Sequence, residues 1–377
     1  RLHLPALPPL WLPPLPARLV LPAAPQWPEQ PARWELSAIV GRIDDPENQC
    51  QLPLVVNFTA GGHHALVGAP GSGKSTFVET LLHALTRRYT PDALNIYALD
   101  CTSRRTAAFA ACPQVGAVLD ATDLSRVGRL FALLDGLLTE RQTLLQGGNY
   151  AQYVAAHDVR GCPAVLLVVE DIAAFRERTA CAYDDTLLRL AREGAACGIY
   201  LFVTGSGFGM QDIPARLADA LRTVLVLELP DRARYGETLR CRMPQGLPTE
   251  AAPGRGLTVL GGRVVEFQTA LAADAPDDYA RADALRRESE ALRTAWPGRP
   301  ARRVPGIPTA PTWRDLTAHE DYAAIQAAGV CLPFGYDLET AALWGIDLQT
   351  TFCFAAAGRA GSGRGNALKI LMRSAAA

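Results

Sequence analysis

The segment Gly68-Ala-Pro-Gly-Ser-Gly-Lys74-Ser75 constrains this chain more than any other part of it. The apolar run Ala65-Leu-Val67 precedes it, and Thr76-Phe-Val-Glu-Thr-Leu-Leu follows. A buried strand thus enters a glycine-rich turn and a helix leaves it, which is G-x-x-x-x-G-K-[ST] in its proper setting. Glycines let the backbone curl and present N–H groups to an anion. A helix starting near Lys74 aims its positive end at the same point. On this reading Gly68, Ala69, Pro70, Gly71, Ser72, Gly73, Lys74, Ser75 and Thr76 bind ATP. Lys74 reaches the β- and γ-phosphates, and the Ser75 hydroxyl holds Mg²⁺.

The flanking sequence alternates short apolar runs with helical patterns from about residue 36 to 272, which predicts an α/β fold. The sheet is expected to be mostly parallel with helices on both faces. Candidate strands are His63–Val67, Asn95–Leu99, Val165–Val169, Tyr200–Thr204 and Thr223–Leu227. Candidate helices are Lys74–Arg88, Leu124–Gln146 and Asp184–Ala195. Gly261-Gly262 between two apolar runs predicts a hairpin.

Hydrolysis also needs an acid at a strand end and a group that orients water. Cys162-Pro-Ala-Val-Leu-Leu-Val-Val-Glu170-Asp171 supplies both. Glu170 is assigned to Mg²⁺ and Asp171 to the attacking water. Thr204, ending a neighbouring apolar run, is the candidate γ-phosphate sensor, with Ser206 second. Arg255, on the turn Pro253-Gly-Arg-Gly, is either a finger toward a neighbour's phosphate or a turn-shaping residue; the second reading is preferred. Arg192 suits a helix C-terminus, and His63 and His64 read as structural.

The 377 residues carry a net charge of -1, so no global basic field argues for nucleic acid. Nine dispersed cysteines without a C-x-x-C pair read as reduced, buried thiols rather than a zinc site. No run approaches the ~18 consecutive apolar residues of a membrane helix. The chain opens on Arg1 and stops in an alanine run, as a piece of a longer protein would. Ten of the 28 prolines fall in residues 1–34, which predicts an extended strap held by Trp11, Trp27 and Trp34.

Ile346-Asp-Leu…Gly358-Arg-Ala-Gly-Ser-Gly363-Arg364-Gly365 repeats Val56-Asn-Phe…Gly68-Ala-Pro-Gly-Ser-Gly73-Lys74-Ser75 at an offset of 290 residues. Leu332-Pro-Phe-Gly335 echoes Ile39-Val-Gly41 upstream. The chain is therefore read as a duplication. Its second copy is degenerate: Arg364 replaces the lysine, and Gly365 removes the hydroxyl. The expected organisation is a strap (1–35), an ATPase domain (36–274), a charged helix with a proline-rich link (275–313), and the start of a second domain (314–377). This last piece is expected to pack on the first domain or fray.

In order along the chain, Asp44-Asp-Pro-Glu-Asn-Gln49, Gly61-Gly-His, the glycine loop, Leu190-Ala-Arg-Glu-Gly-Ala-Ala-Cys-Gly198 and Pro253-Gly-Arg-Gly-Leu257 resemble the FtsK/SpoIIIE ATPases. The nearest resemblance is to the tandem-ATPase motors of type VII secretion (the EccC/EssC group). That resemblance implies a RecA/FtsK-like P-loop NTPase domain, the second of three, followed by the start of the third. It implies slow ATP hydrolysis coupled to export of WXG-type secreted proteins. The implied partners are neighbouring ATPase domains, secretion-system membrane components and a ring, with a hexamer as candidate size. The implied place is the cytoplasmic face of the bacterial inner membrane. Two other readings stay open: a DNA translocase domain of the FtsK/HerA kind, and a scaffold that binds ATP without hydrolysing it.

Overall fold

In the computed structural model, residues 12–22, 27, 34–209, 212–248, 252–308 and 310–376 are described. The chain divides into two compact units, Arg1–Thr122 with Leu134–Arg303, and Asp123–Leu133 with Val304–Ala377. Trp11, one of the three strap tryptophans, lies outside the described residues.

The larger unit holds strands β1 (Ser37–Asp45), β2 (Cys50–Asn57), β3 (His64–Val67), β4 (Leu94–Asp100) and β5 (Val115–Leu119). It continues with β6 (Ala164–Glu170), β7 (Ile199–Gly205), β8 (Thr223–Leu227), β9 (Arg255–Leu260) and β10 (Arg263–Thr269). These strands form one ten-stranded sheet in the order β2-β1-β10-β9-β8-β3-β7-β6-β4-β5. From β8 to β5 all neighbours are parallel. Strands β4, β6 and β7 are buried at every position, so both faces of this half are covered, as in α/β proteins generally.

From β2 to β8 the pairing is antiparallel. Only the β9–β10 hairpin of this flank is predicted from sequence; β1 and β2, like β5, are not. Their residues show the reason. Ile39, Leu52 and Val55 stay exposed, and β2 carries Pro53 and β1 Gly41, so neither reads as a buried apolar run. Gly41 is nevertheless required. A Cβ there would lie 2.1 Å from the Gln268 carbonyl oxygen across the ladder.

The helices in chain order are α1 (Phe58–Gly61), α2 (Lys74–Arg88), α3 (Leu124–Leu145), α4 (Tyr150–His157), α5 (Ile172–Arg178) and α6 (Asp184–Glu193). Next come α7 (Ala215–Ala220), α8 (Arg232–Leu239) and α9 (Asp278–Ala295). Helix α2 has the predicted bounds. Its Phe77 is fully buried and stacks on Phe202 of β7 at 5.8 Å, which fixes the helix against the parallel sheet.

The described residues of the strap pack against this unit. Val20 bridges Leu271 in parallel, and Trp27 donates its indole N–H to the Thr86 carbonyl while packing edge-on against Trp296. Trp34 packs edge-on against Tyr89. The expectation of buried thiols holds for Cys101, Cys112, Cys162 and Cys197 and fails for Cys181 and Cys353, which are exposed.

The smaller unit contains α10 (Trp313–Thr317), α11 (Tyr322–Ala328), β11 (Cys331–Tyr336), β12 (Leu343–Asp347) and α12 (Arg364–Ala376). Strands β11 and β12 pair antiparallel with an irregularity at Pro333/Gly335. The β1–β2 pair has an irregularity of the same kind at Ile39/Gly41, the glycine that Gly335 echoes in sequence.

Candidate nucleotide-binding site

Residues 68–73 join β3 to α2 and are held from both sides. The Gly68 N–H donates to Gly205 O at 3.1 Å at the end of β7, and the Ala69 N–H donates to Glu228 O at 2.8 Å beyond β8. Gly71 and Gly73 take φ of +81° and +105°, values that glycine alone adopts readily. At Gly73 a Cβ would also approach the Gly254 nitrogen to 3.0 Å. The first rung of α2 is Phe77 N–H to Gly73 O at 2.9 Å, so the amides before it have no helical partner and face the turn. Pro70 and Ser72 complete the curve; Ser72 is buried, and its hydroxyl has no hydrogen-bond partner.

The Lys74 ammonium donates to Gly68 O at 2.6 Å and Ala69 O at 3.1 Å, closing the loop on itself. Partial burial lowers its pKa, and the charges of Asp171, Glu170 and Asp212 oppose that shift. These three carboxylates thus favour the charged form of the lysine.

The Ser75 hydroxyl hydrogen-bonds to Glu170 Oε1. This joins two residues 95 positions apart that the sequence assigned to the same cation. Glu170 is 2% exposed, and its Oε2 has no hydrogen-bond partner. Burial raises its pKa first and the neighbouring Asp100 raises it further; Ser75, Ser103 and Arg105 pull it back. A hydroxyl, a buried carboxylate and an orphaned carboxylate oxygen fit Mg²⁺ as a guest. Among the described residues no group of three or more His, Cys, Asp or Glu could hold a metal unaided.

Asp171 takes φ +59°, a conformation a non-glycine residue enters only under constraint. Its Oδ1 caps α5 by accepting the Ala174 N–H at 3.2 Å. Its own N–H donates to the Thr204 hydroxyl at 2.9 Å, and Thr204 is completely buried. Thr204 thus locks the backbone of Asp171. Ser206 lies just past β7 and is half-buried.

Arg255 is buried and spends its guanidinium on Gln268, Glu266 and the Leu15 carbonyl, which supports the structural reading and removes it as a finger on this face. Arg192 is exposed at the end of α6. His63 and His64 are buried, and desolvation depresses both imidazoles to about 4, so each stays neutral. His63 Nδ1 accepts the Leu201 N–H at 2.9 Å, a structural role.

Sequence reasoning missed Asp100 and Arg105. Asp100 ends β4 directly beside Glu170 in the ladder and accepts the N–H groups of Ser103 and Arg104. The signal was available: Asp100 follows an apolar run as Glu170 does. Arg105 reaches Glu79 on α2 at 3.4 Å and also pairs with Asp278 of α9. Nothing local in the sequence predicts this meeting.

Residues 29–163 match the sequence model of the FtsK/SpoIIIE family. The chain is 29% identical to the ESX secretion system protein EccC of Thermomonospora curvata, an alignment covering 97% of this chain and 28% of that protein. It is 30% identical to the ESX-4 secretion system protein EccC4 of Mycobacterium tuberculosis, covering 70% of this chain and 21% of that protein. The chain thus spans less than a third of these relatives' length. Among solved structures it is similar to ATPases 2 and 3 of EssC from Geobacillus thermodenitrificans, with TM-score 0.81 and 22% identity over 96% of this chain and 67% of that one. It is also similar to ATPases 2 and 3 of Thermomonospora curvata EccC in complex with a signal sequence peptide, with TM-score 0.66 and 25% identity over 90% of this chain and 63% of that one. Among the described residues no helix is long and apolar enough to cross a membrane.

Proposed function

We propose, from the premise that this chain belongs to the FtsK/SpoIIIE family, that its larger unit is an ATP-binding, slowly hydrolysing motor domain of a type VII secretion ATPase. The observation that carries this reading is the Ser75–Glu170 pair beside Lys74 at the mouth of a parallel sheet. Loop and first-turn amides of α2 bind the phosphates, and Lys74 turns from the Gly68 and Ala69 carbonyls to neutralise them. Ser75 and Glu170 hold Mg²⁺, which supplies the counter-charge to the transferred phosphoryl group. Asp171 orients water with the oxygen not engaged in capping α5. That shared duty, and the short reach of an aspartate, support slow turnover.

As in the motors it resembles, the chain would act beside further ATPase domains at the cytoplasmic face of the inner membrane. The cargo would be WXG-type secreted proteins. The test is ATP binding by calorimetry together with phosphate release, with and without candidate secreted proteins and with duplex DNA. The expected result is tight binding and slow release that DNA leaves unchanged. DNA-stimulated turnover that weakens steeply with salt would replace this reading with a DNA translocase.

A further inference from the structure

A cavity of about 480 Å³ opens directly beside the phosphate-binding loop, within the size range of small-ligand sites. Lys74, Ser75 and Thr76 form one wall, so it is continuous with the place where phosphates would lie. The lining also includes Leu19 of the strap, Leu271 and Thr269, together with the ion-paired Arg105, Asp278 and Arg281. Main-chain hydrogen bonds run from one wall to the other. The Gly254 N–H donates to Ser72 O at 2.9 Å, and the Thr269 N–H donates to Gly254 O at 2.8 Å. The Leu271 N–H then donates to Leu19 O at 2.7 Å, and the Leu21 N–H donates back to Leu271 O at 3.0 Å.

The wall chemistry is mixed. Leu19 and Leu271 offer an apolar surface, while Thr269 is 4% exposed with a hydroxyl that has no hydrogen-bond partner. The neighbouring Gln268 amide is already committed to Pro253 O at 3.0 Å. An unspent hydroxyl and two leucines, with guanidinium groups of Arg105 and Arg281 held by Asp278, next to a triphosphate cradle, suit a ribose and a flat heteroaromatic base that can lie on apolar carbon and on guanidinium planes.

We propose that this cavity is the nucleoside subsite and that the strap is one of its walls, so nucleotide occupancy and strap docking stabilise each other. The proposal rests on reading Gly68–Ser75 as a nucleotide site. Because coupling is reciprocal, whatever peels the strap away weakens ATP, and ATP holds the strap down.

The experiment uses the full chain with two probes, ATP and inorganic tripolyphosphate, which shares the phosphates and lacks the nucleoside. Hydrogen exchange is followed at the Leu21 and Leu271 amides, and affinities are measured by calorimetry. With ATP at about 100 times its Kd, exchange at both amides should slow at least tenfold, up to about a hundredfold. Tripolyphosphate should leave it within about twofold. Leu19→Asp should weaken ATP about tenfold and tripolyphosphate less than twofold, the latter serving as the folding control. Thr269→Val should weaken ATP several-fold. The proposal is overturned if ATP binds and both amides exchange as before, or if Leu19→Asp weakens the two probes equally. If neither probe binds, the nucleotide reading fails and takes this proposal with it.

Discussion

The turns at Gly68–Gly73 and Gly358–Gly363 follow one backbone path in very different company. Gly361 and Gly363 take φ of +81° and +89°, against +81° and +105° at Gly71 and Gly73. Ser362 N–H to Arg359 O at 3.1 Å mirrors Ser72 N–H to Ala69 O at 3.2 Å. Both helices begin on the same rung, Ala367 to Gly363 and Phe77 to Gly73, each at 2.9 Å. The glycine pattern alone therefore writes the curve. It does not make a site.

The first turn is bonded to the ends of β7 and β8 through Gly68 and Ala69; among the described residues the Gly358 and Arg359 amides make no such bonds. The first is entered by β3, buried between two parallel partners, whereas residues 353–357 form no strand and Phe352 is 96% exposed. The first meets a buried acid through Ser75; the second has Gly365 there, and the smaller unit's described strands are only β11 and β12. The two turns thus share a backbone curve and differ in the lysine, the hydroxyl and the sheet around them.

The comparison breaks most visibly if the lysine does not matter. Lys74→Ala should weaken ATP about a hundredfold, while Arg364→Ala should change its affinity less than twofold, both read by calorimetry. Next, Glu170→Gln should lower turnover about a hundredfold and leave ATP affinity within about threefold. Burial raises this carboxyl, so its charged form burdens the fold as pH rises. The same variant should therefore melt higher than the parent at neutral pH without nucleotide. A lower melting point would show that Glu170 is structural.

A glycine pair sharpens the contrast further. Gly73→Ala combines positive-φ strain with a contact to the Gly254 nitrogen at 3.0 Å, whereas a Cβ at Gly363 meets nothing within 4 Å. Thermal melting should report about 2–3 kcal/mol lost for the first and about 1 kcal/mol for the second. The broadest effect is on pH. His63 and His64 sit where β3 begins; 290 residues on, the second copy has Cys353 and Phe354. The unfolded chain protonates its histidines near 6.5, but these two only near 4. Stability of the larger unit should fall as pH drops from 6.5 toward 4, by up to about 3 kcal/mol for each. His63→Gln should flatten that slope in melts recorded from pH 7 to 4.

Much of this was legible from local signals. The loop, α2 and the five central strands lie close to where the apolar runs and glycines put them, because a buried parallel strand announces itself by continuous hydrophobicity. The second glycine turn was legible because identical spacing preserves the curve even where the lysine and hydroxyl are gone. The edge pair β1–β2 was not legible, since half-exposed strands with a glycine and a proline look like loops. Within the site, Ser75 and Glu170 were assigned separately to one cation, and the fold brings them into contact. The roles of Asp171 as a helix cap and of Thr204 as its anchor depend on backbone direction at a strand end, which residue types do not encode. Arg105, Asp278 and Glu79 meet only because α2 and α9 are brought together, a tertiary fact.

The most direct test is the stoichiometry of ATP binding to the whole chain in Mg²⁺, measured by equilibrium titration alongside Lys74→Ala and Arg364→Ala. One nucleotide per chain, lost in Lys74→Ala and kept in Arg364→Ala, is the result expected here. No saturable binding, or binding that survives loss of the Lys74 ammonium, would contradict it.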